Sequence, residues 1–301
     1  MSKFKAWVSA ARLRTLPLSI SGILVGTAIA NSHGYQDNTI FVLALLTTLG
    51  FQITSNFAND YGDGLKGTDN AQRVGPARAF QSGILTKKEL EYGIGISILL
   101  TLVLAGFLLY QAFGLASLDY LIVFGILALL SIWAAVRYTV GNKAYGYSGL
   151  GDLFVFLFFG LLSVLGTMFL FTKQITPSDV LPAITIGCLS TAVLNLNNLR
   201  DHAGDSLAGK RTLVVKIGFK NAKIYHAGLI LMAFTALLIY NLRFSAWTAF
   251  LNLLVFIPLA IHLNKVLRVE DPGELDPELK KLALSTFALA LLFYFLNDKF
   301  L

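Results

Sequence analysis

The chain is 301 residues long, 55% of them hydrophobic and only 14% charged, with a formal net charge of +7. That composition excludes an ordinary soluble globule, because apolar runs of about twenty residues recur along the chain and each is long enough to cross a bilayer. The positive charge does not imply nucleic acid as a partner: the basic residues sit in short loops between apolar segments, with no basic face and no aromatic-interleaved groove.

The first fourteen residues, MSKFKAWVSAARLR, carry Lys3, Lys5, Arg12 and Arg14, and an apolar segment runs from Leu16 to Asn31. Its end at Ala28, Ile29 and Ala30 has the small residues of a signal-peptide cleavage site. A retained first span is the preferred reading, because the topology below needs an odd helix here. Further spans are predicted near residues 39–59, 92–113, 117–140, 152–171, 178–198, 224–241, 245–266 and 280–297. The fold class is therefore all-α, a polytopic membrane helical bundle of about nine transmembrane helices forming one domain over residues 1–301. Pro182 and Pro258 are expected to kink two of the helices, which neighbouring helices tolerate. Cys188 is alone in an apolar stretch, so neither a disulfide nor a thiolate metal site is available.

With the amino terminus in the cytoplasm, the loops after spans two, four, six and eight lie on the same side. Of the 24 Lys and Arg residues, only Lys173, Arg243 and Lys299 then fall on the other side. That bias orients the bundle.

The second span ends in NFANDYGDGLKGTDNAQRVGPARAFQSG, residues 56–83. Gln52, Asn56, Asp60 and Asp63 recur at helical steps, and Asn59 with Asp63 makes a second pair on nearly the same face. An ionised Asp at the membrane edge costs roughly 2.5 to 3.5 kcal/mol, so Asp60, Asp63 and Asp69 together need a compensating reason. Oxygen ligands without Cys suit a hard cation such as Mg²⁺, and Lys66, Arg73 and Arg78 follow closely enough to hold phosphate oxygens. The plain alternative is an interfacial helix end with solvated charges.

Recurrence weighs against that alternative. The sixth span ends in LNLNNLRDHAGDSLAGKRTLVVKIG, residues 194–218, where Asn197, Asp201 and Asp205 share a face and Asn198 precedes Asp201 by one turn. Asn56 with Asp60 and Asn197 with Asp201 repeat one pattern, and Gly, Lys and Thr follow both. Spans two and six run in the same direction and end on the same side, so two acid-and-amide faces are expected across one cavity. Crowded aspartates repel unless cations lie between them, and two divalent ions bridging a diphosphate would resolve that conflict. Between the clusters, RYTVGNKAYGYSGLGD offers Tyr138, Tyr145 and Tyr147, either as interfacial aromatics or as contacts for an aromatic acceptor. His33, His226 and His262 receive no role, and His202 is read as a neighbour of the metal site.

The two clusters resemble the two aspartate-rich motifs of the UbiA superfamily of membrane prenyltransferases, which has nine helices and a cavity open to the cytoplasm. Within it, NDYGDGLKGTD, RVGPARAFQSG, YGYSGLGD and LNNLRDHAGDSLAGKRTL are similar to the branch that prenylates 1,4-dihydroxy-2-naphthoate in the menaquinone pathway, and ARLRTLPLSISGILVGTAIA is similar to that branch's opening. The chain departs from many members at Lys66 and Gly67, near where they carry a further Asp, which moves the third acid to Asp69.

The resemblance implies that Asn56, Asp60 and Asp63 hold one Mg²⁺ and that Asp201 and Asp205 hold another, with Asn59 and Asp69 as further candidate ligands. Asp60, Asp63, Asp201 and Asp205 are thus the candidate catalytic residues. Lys66, Arg73, Arg78, Lys210 and Arg211 would bind the diphosphate, and Asn197, Asn198, Tyr138 and Tyr147 complete the substrate-binding set. It further implies Mg²⁺ as cofactor, and polyprenyl diphosphate and 1,4-dihydroxy-2-naphthoate as substrates. The setting would be the lipid of a bacterial cytoplasmic (inner) membrane, with the site facing the cytoplasm. The competing readings are a related enzyme acting on 4-hydroxybenzoate, haem or chlorophyll precursors, and an ion-coupled transporter.

Overall fold

The computed structural model describes residues 2–68, 78–244 and 247–296. Among them nine helices are long and apolar enough to cross a membrane: α1 (Lys3–Ser32), α2 (Asn38–Leu65), α3 (Lys87–Phe113), α4 (Leu118–Arg137), α5 (Gly151–Thr172), α6 (Pro177–Leu207), α7 (Phe219–Asn241), α8 (Trp247–Arg268) and α9 (Pro272–Leu296). The protein is an integral membrane protein of all-helical fold. On α4, Leu118, Ile122, Val123, Ile126, Leu129 and Trp133 are all exposed, as a face turned to hydrocarbon rather than water requires.

Several boundaries differ from the sequence expectation. α1 begins at Lys3, with a first segment to Ala11, a left-handed Arg12 (φ 51°) and a short 3₁₀ turn before Leu16. The bend lets Ala6 and Ala10 pack with Ala79, Leu85 and Leu90, while Trp7 meets Phe57 edge-on at 5.1 Å. Lys3 reaches Glu89 at 2.5 Å, and Glu89 also closes the capping box with Thr86 that starts α3. α2 and α6 both run past their predicted ends, to Leu65 and Leu207, so each acid motif is still helical.

Pro182 falls just inside the α-helical start of α6 at Val180, and Pro258 falls likewise behind Phe256, where the 3₁₀ segment Trp247–Val255 gives way to α-helix. Each proline thus sits where the helix changes from 3₁₀ to α winding.

The chain divides into two compact units. The first comprises Met1–Leu16, Val42–Gly151 and Asp201–Lys216; the second comprises Pro17–Phe41, Asp152–Arg200 and Ile217–Leu301. In the second, α1 lies so close to α5 that a side chain at Gly22 would meet Ser163, and one at Gly26 would come within 2.9 Å of the Thr167 Cβ. Small residues that allow such approach are how helices associate where no hydrophobic drive separates them from lipid. The same stretch of α5, Phe156–Gly166, is wound as a π-helix.

Candidate active site

Both acid clusters belong to the first unit. Each helix that carries one ends in the same way. At the end of α2, Gly67 is left-handed (φ 68°) and the Thr68 N–H donates to the Asp63 carbonyl at 3.1 Å. At the end of α6, Gly209 is left-handed (φ 72°) and the Lys210 N–H donates to the Asp205 carbonyl at 2.8 Å. A glycine in the left-handed region followed by a bond back to the last turn is a Schellman-type stop. It reverses the chain over the final aspartate of each motif, which is why Gly, Lys and Thr follow both.

The reversal brings cations onto acids. Lys210, 8% exposed, places its Nζ 3.6 Å from Asp205 Oδ1, and Arg78 Nη2 lies 3.5 Å from Asp63 Oδ2. Burial disfavours the Lys210 charge, but Asp63, Asp205, Tyr147 and Asp201 outweigh it and hold its pKa above the ordinary lysine value. Asp63 from one cluster and Asp201 and Asp205 from the other therefore act on one ammonium group. Lys66 is less well compensated: burial lowers its pKa, Asp63 opposes that, and Lys210 and Arg137 reinforce it.

Tyr147 stands between the clusters. Its hydroxyl donates to Asp63 Oδ1 at 2.9 Å, so the Thr68 hydroxyl, 2.5 Å away, donates to the Tyr147 oxygen. Lys66 Nζ sits 3.8 Å from the centre of its ring and Lys210 Nζ 5.4 Å away, within cation–π range. Burial and the charge of Asp63 raise the Tyr147 pKa, which keeps the hydroxyl protonated as a donor. The loop is pinned from the other side, as the Arg211 N–H donates to the Tyr147 carbonyl at 3.1 Å and Lys216 Nζ to the Ser148 carbonyl at 2.7 Å.

These contacts place cations of the chain itself among the crowded aspartates. Lys210, Lys66 and Arg78 already lie among them, and Arg12, which sequence reasoning treated only as a topology signal, acts on Asp60. Among the described residues Arg12, Lys66, Arg78 and Lys210 stand with Asp60, Asp63, Asp201 and Asp205, and a diphosphate would add negative charge that calls for a divalent cation.

Other candidates have different partners. The Asn56 amide donates to the Ala11 carbonyl at 2.8 Å and to Thr15, and its oxygen accepts from Gln52, so it ties α2 to α1. Asn59 accepts from Thr139 at 3.2 Å. In the second unit, Asn197 accepts from Arg200 at 3.0 Å, and Asn198 is buried. Tyr138 packs edge-on against Tyr145 at 5.4 Å. Arg211 is exposed, and Asp201 is partly buried. Asp69 and Arg73 lie outside the described residues. Arg12 and Thr68 were missed because Arg12 acts from far along the chain, whereas the repeat of Thr after Gly and Lys was a usable signal for Thr68.

The donor set fits a hard divalent cation. Both Asp60 carboxylate oxygens are buried without a well-formed hydrogen bond. Asp205 Oδ2 is likewise buried without a partner. Orphaned buried carboxylate oxygens are rare and leave ligand capacity open. No three acidic, His or Cys side chains among the described residues form a closed cage. Mg²⁺ does not need one, since it is commonly held by one or two carboxylates with water and substrate phosphates.

Residues 19–287 match the UbiA prenyltransferase family. The chain is 42% identical over 295 residues to a 1,4-dihydroxy-2-naphthoate octaprenyltransferase of Escherichia coli, covering 97% of this chain and 95% of that one. The enzyme of the same description from Haemophilus influenzae is 41% identical over 295 residues, with the same coverage of each chain. In fold, the protein is similar to a UbiA homolog from Archaeoglobus fulgidus bound to DMAPP and Mg²⁺, with a TM-score of 0.62 at 15% identity over 94% of this chain and 98% of that one.

Proposed function

The chain belongs to the UbiA prenyltransferase family, and on that premise we propose that it transfers a polyprenyl group from polyprenyl diphosphate to 1,4-dihydroxy-2-naphthoate, releasing CO₂ and diphosphate and forming the prenylated naphthohydroquinone, the reduced form of demethylmenaquinone. The observation that carries the reading is the lodging of Lys210 among Asp63, Asp201 and Asp205, with Tyr147 bonded to Asp63 beside it. Carboxylates and buried cations converge there, which is the mixture of charges that a diphosphate and its counter-ion would need. The near-full-length similarity to two enzymes described as 1,4-dihydroxy-2-naphthoate octaprenyltransferases supports the acceptor. The strong bias of basic residues supports a cytoplasmic face in a bacterial inner membrane.

In this reading Asp60 and Asp63 would hold Mg²⁺ on one side and Asp201 and Asp205 on the other. Bound there, the ion would neutralise charge growing on the leaving diphosphate. Lys66, Lys210 and Arg78 bind the diphosphate oxygens and share that task electrostatically. Tyr147, through its bond to Asp63, fixes the rotamer of a ligating carboxylate. The allylic C–O bond breaks with its electron pair going to the diphosphate. The ring carbon bearing the acceptor's carboxylate bonds to the allylic carbon; the pair of the ring–carboxylate bond then returns to the ring as CO₂ departs. Ionised acceptor therefore requires no side-chain base.

The test uses purified protein with a prenyl diphosphate, acceptor labelled in its carboxylate, and Mg²⁺. Expected are equal amounts of released diphosphate and labelled CO₂, with loss of both in Asp60→Ala and Asp201→Ala. Near-normal turnover by either variant removes the metal role. Solute counterflow without diphosphate release would favour a transporter, and turnover only with a different aromatic acceptor would keep the family and overturn the substrate.

A further inference from the structure

His226 and His262 are 0% and 2% exposed within the membrane-spanning helices, and the proposed reaction uses neither. Their contacts form one line inside the second unit. His262 Nδ1 lies 2.8 Å from Glu278 Oε2, the two Nε2 atoms are 3.0 Å apart, and His226 Nδ1 lies 3.2 Å from the side-chain amide of Asn195. Glu278 is also met by Lys281 at 2.6 Å and Lys265 at 3.6 Å, as an ionised carboxylate would be.

Proton inventory sets the direction of this line. With Glu278 ionised, His262 carries its proton at Nδ1, accepts at Nε2, and receives the Nε2–H of His226. His226 Nδ1 is then a bare acceptor, so Asn195 presents its N–H₂ and not its oxygen. That amide orientation also satisfies the Asn195 nitrogen, which in the opposite orientation is buried without a partner.

A second tie runs beside the first. Arg200, 4% exposed, donates through Nη1 to Asp276 at 2.6 Å and through Nη2 to Asn197 at 3.0 Å. Asp276 and Glu278 both lie in the first turn of the α-helical part of α9. The start of α9 thus grips α6 at Arg200 through Asp276, and at Asn195 through Glu278 and two histidines. Asp201 is the next residue of α6, and Asp205 follows one turn later.

We infer that Asp276, Glu278, His226 and His262 are positioning residues that set the rotation of the last turns of α6, and hence the direction in which Asp201 and Asp205 present their carboxylates. The inference rests on the metal role proposed above. Partners that orient ligating groups typically change metal affinity by about 10- to 100-fold when removed.

Asp276 is half exposed, so Asp276→Ala cuts one tie without removing buried volume, although it leaves the buried Arg200 short of a carboxylate, which is why the melting temperature is read alongside. Three quantities are read in wild type, Asp276→Ala and Asp276→Glu: hydrogen exchange of residues 198–207 without metal, Mn²⁺ binding by loss of the free-ion resonance, and the Mg²⁺ concentration giving half-maximal turnover. Asp276→Ala should speed exchange at 198–207 and raise both metal half-saturation values by about tenfold, and Asp276→Glu should restore them. Glu278→Gln, which keeps an acceptor for His262, should give the same pattern more weakly. Unchanged local exchange overturns the inference, as does a lowered melting temperature with unchanged metal half-saturation. If the wild type neither binds Mn²⁺ nor transfers prenyl groups, the metal inference falls with the proposed function, and faster exchange at 198–207 then attests only the tie between α9 and α6.

Discussion

Replacing Lys210 by Met tests the charge balance of the site most directly. The side chain is 10% exposed and lies 3.6 Å from an Asp205 that is itself 6% exposed. At an effective dielectric of about 20 that one pair is worth about 4 to 5 kcal/mol before desolvation, and Asp63 and Asp201 add to it from farther away. The gain is offset by the cost of burying the ammonium, and removing one partner of a buried pair typically destabilises by about 3 to 5 kcal/mol. Met retains most of the buried chain, so the loss is one of charge rather than volume. Without metal the variant should therefore melt well below wild type, and Mg²⁺ should raise its melting temperature more than it raises the wild type's, because a divalent ion supplies the missing positive charge. Turnover should fall on the order of 10²- to 10³-fold, as for the loss of one preorganised group facing a developing negative charge. The assay is a thermal-shift series in detergent with and without Mg²⁺, alongside labelled-product turnover. A variant with wild-type melting in both conditions and turnover within about threefold would refute the reasoning.

Three further outcomes are expected. Lys66 carries a lowered pKa, so its charged form is lost earlier on the alkaline side than that of an ordinary lysine. Because the unfolded chain then holds more protons, Lys66 makes stability rise with pH up to the ordinary lysine range, whereas KM for prenyl diphosphate should worsen over the same window; Lys66→Arg should move that alkaline limb to higher pH, and an unmoved limb excludes Lys66 as its cause. Tyr147→Phe removes a bond to a carboxylate worth about 1.5 to 3 kcal/mol, and should lower kcat/KM by about 10- to 100-fold, read in steady-state kinetics with the fold checked by circular dichroism. Gly209→Ala meets open space, so its cost is backbone strain alone, about 1 to 2 kcal/mol; it should weaken diphosphate binding by displacing Lys210, and an unchanged KM would argue against the turn's role.

The membrane bundle and the acid clusters near two of its helix ends were legible because their signals are local. Apolar runs of spanning length, Asn and Asp at helical steps, and basic loops on one side need no knowledge of distant partners. The repeated Gly, Lys and Thr after each acid motif was legible as a pattern, but its meaning was not: only the folded chain reveals that a left-handed glycine turns Lys210 back onto Asp205 and Thr68 onto Tyr147. Asn56 and Asn197 illustrate the opposite case. Their spacing placed them on the acidic faces, yet an amide can pair with anything within reach: Gln52 and Arg200 lie one helical turn away, and only the Ala11 carbonyl is supplied by a distant segment.

The sequence alone determined that this protein crosses a membrane many times and carries two matched anionic helix ends on one side of it. Those properties follow from hydrophobic length and helical period, which are set residue by residue. Only the tertiary structure decided which cations lie beside which carboxylates, that Tyr147 bonds to Asp63 and Arg12 acts on Asp60, and that two buried histidines connect α9 to α6. Such pairings join segments tens to hundreds of residues apart through long or orientable side chains, and their free energy depends on burial and distance that no local pattern encodes.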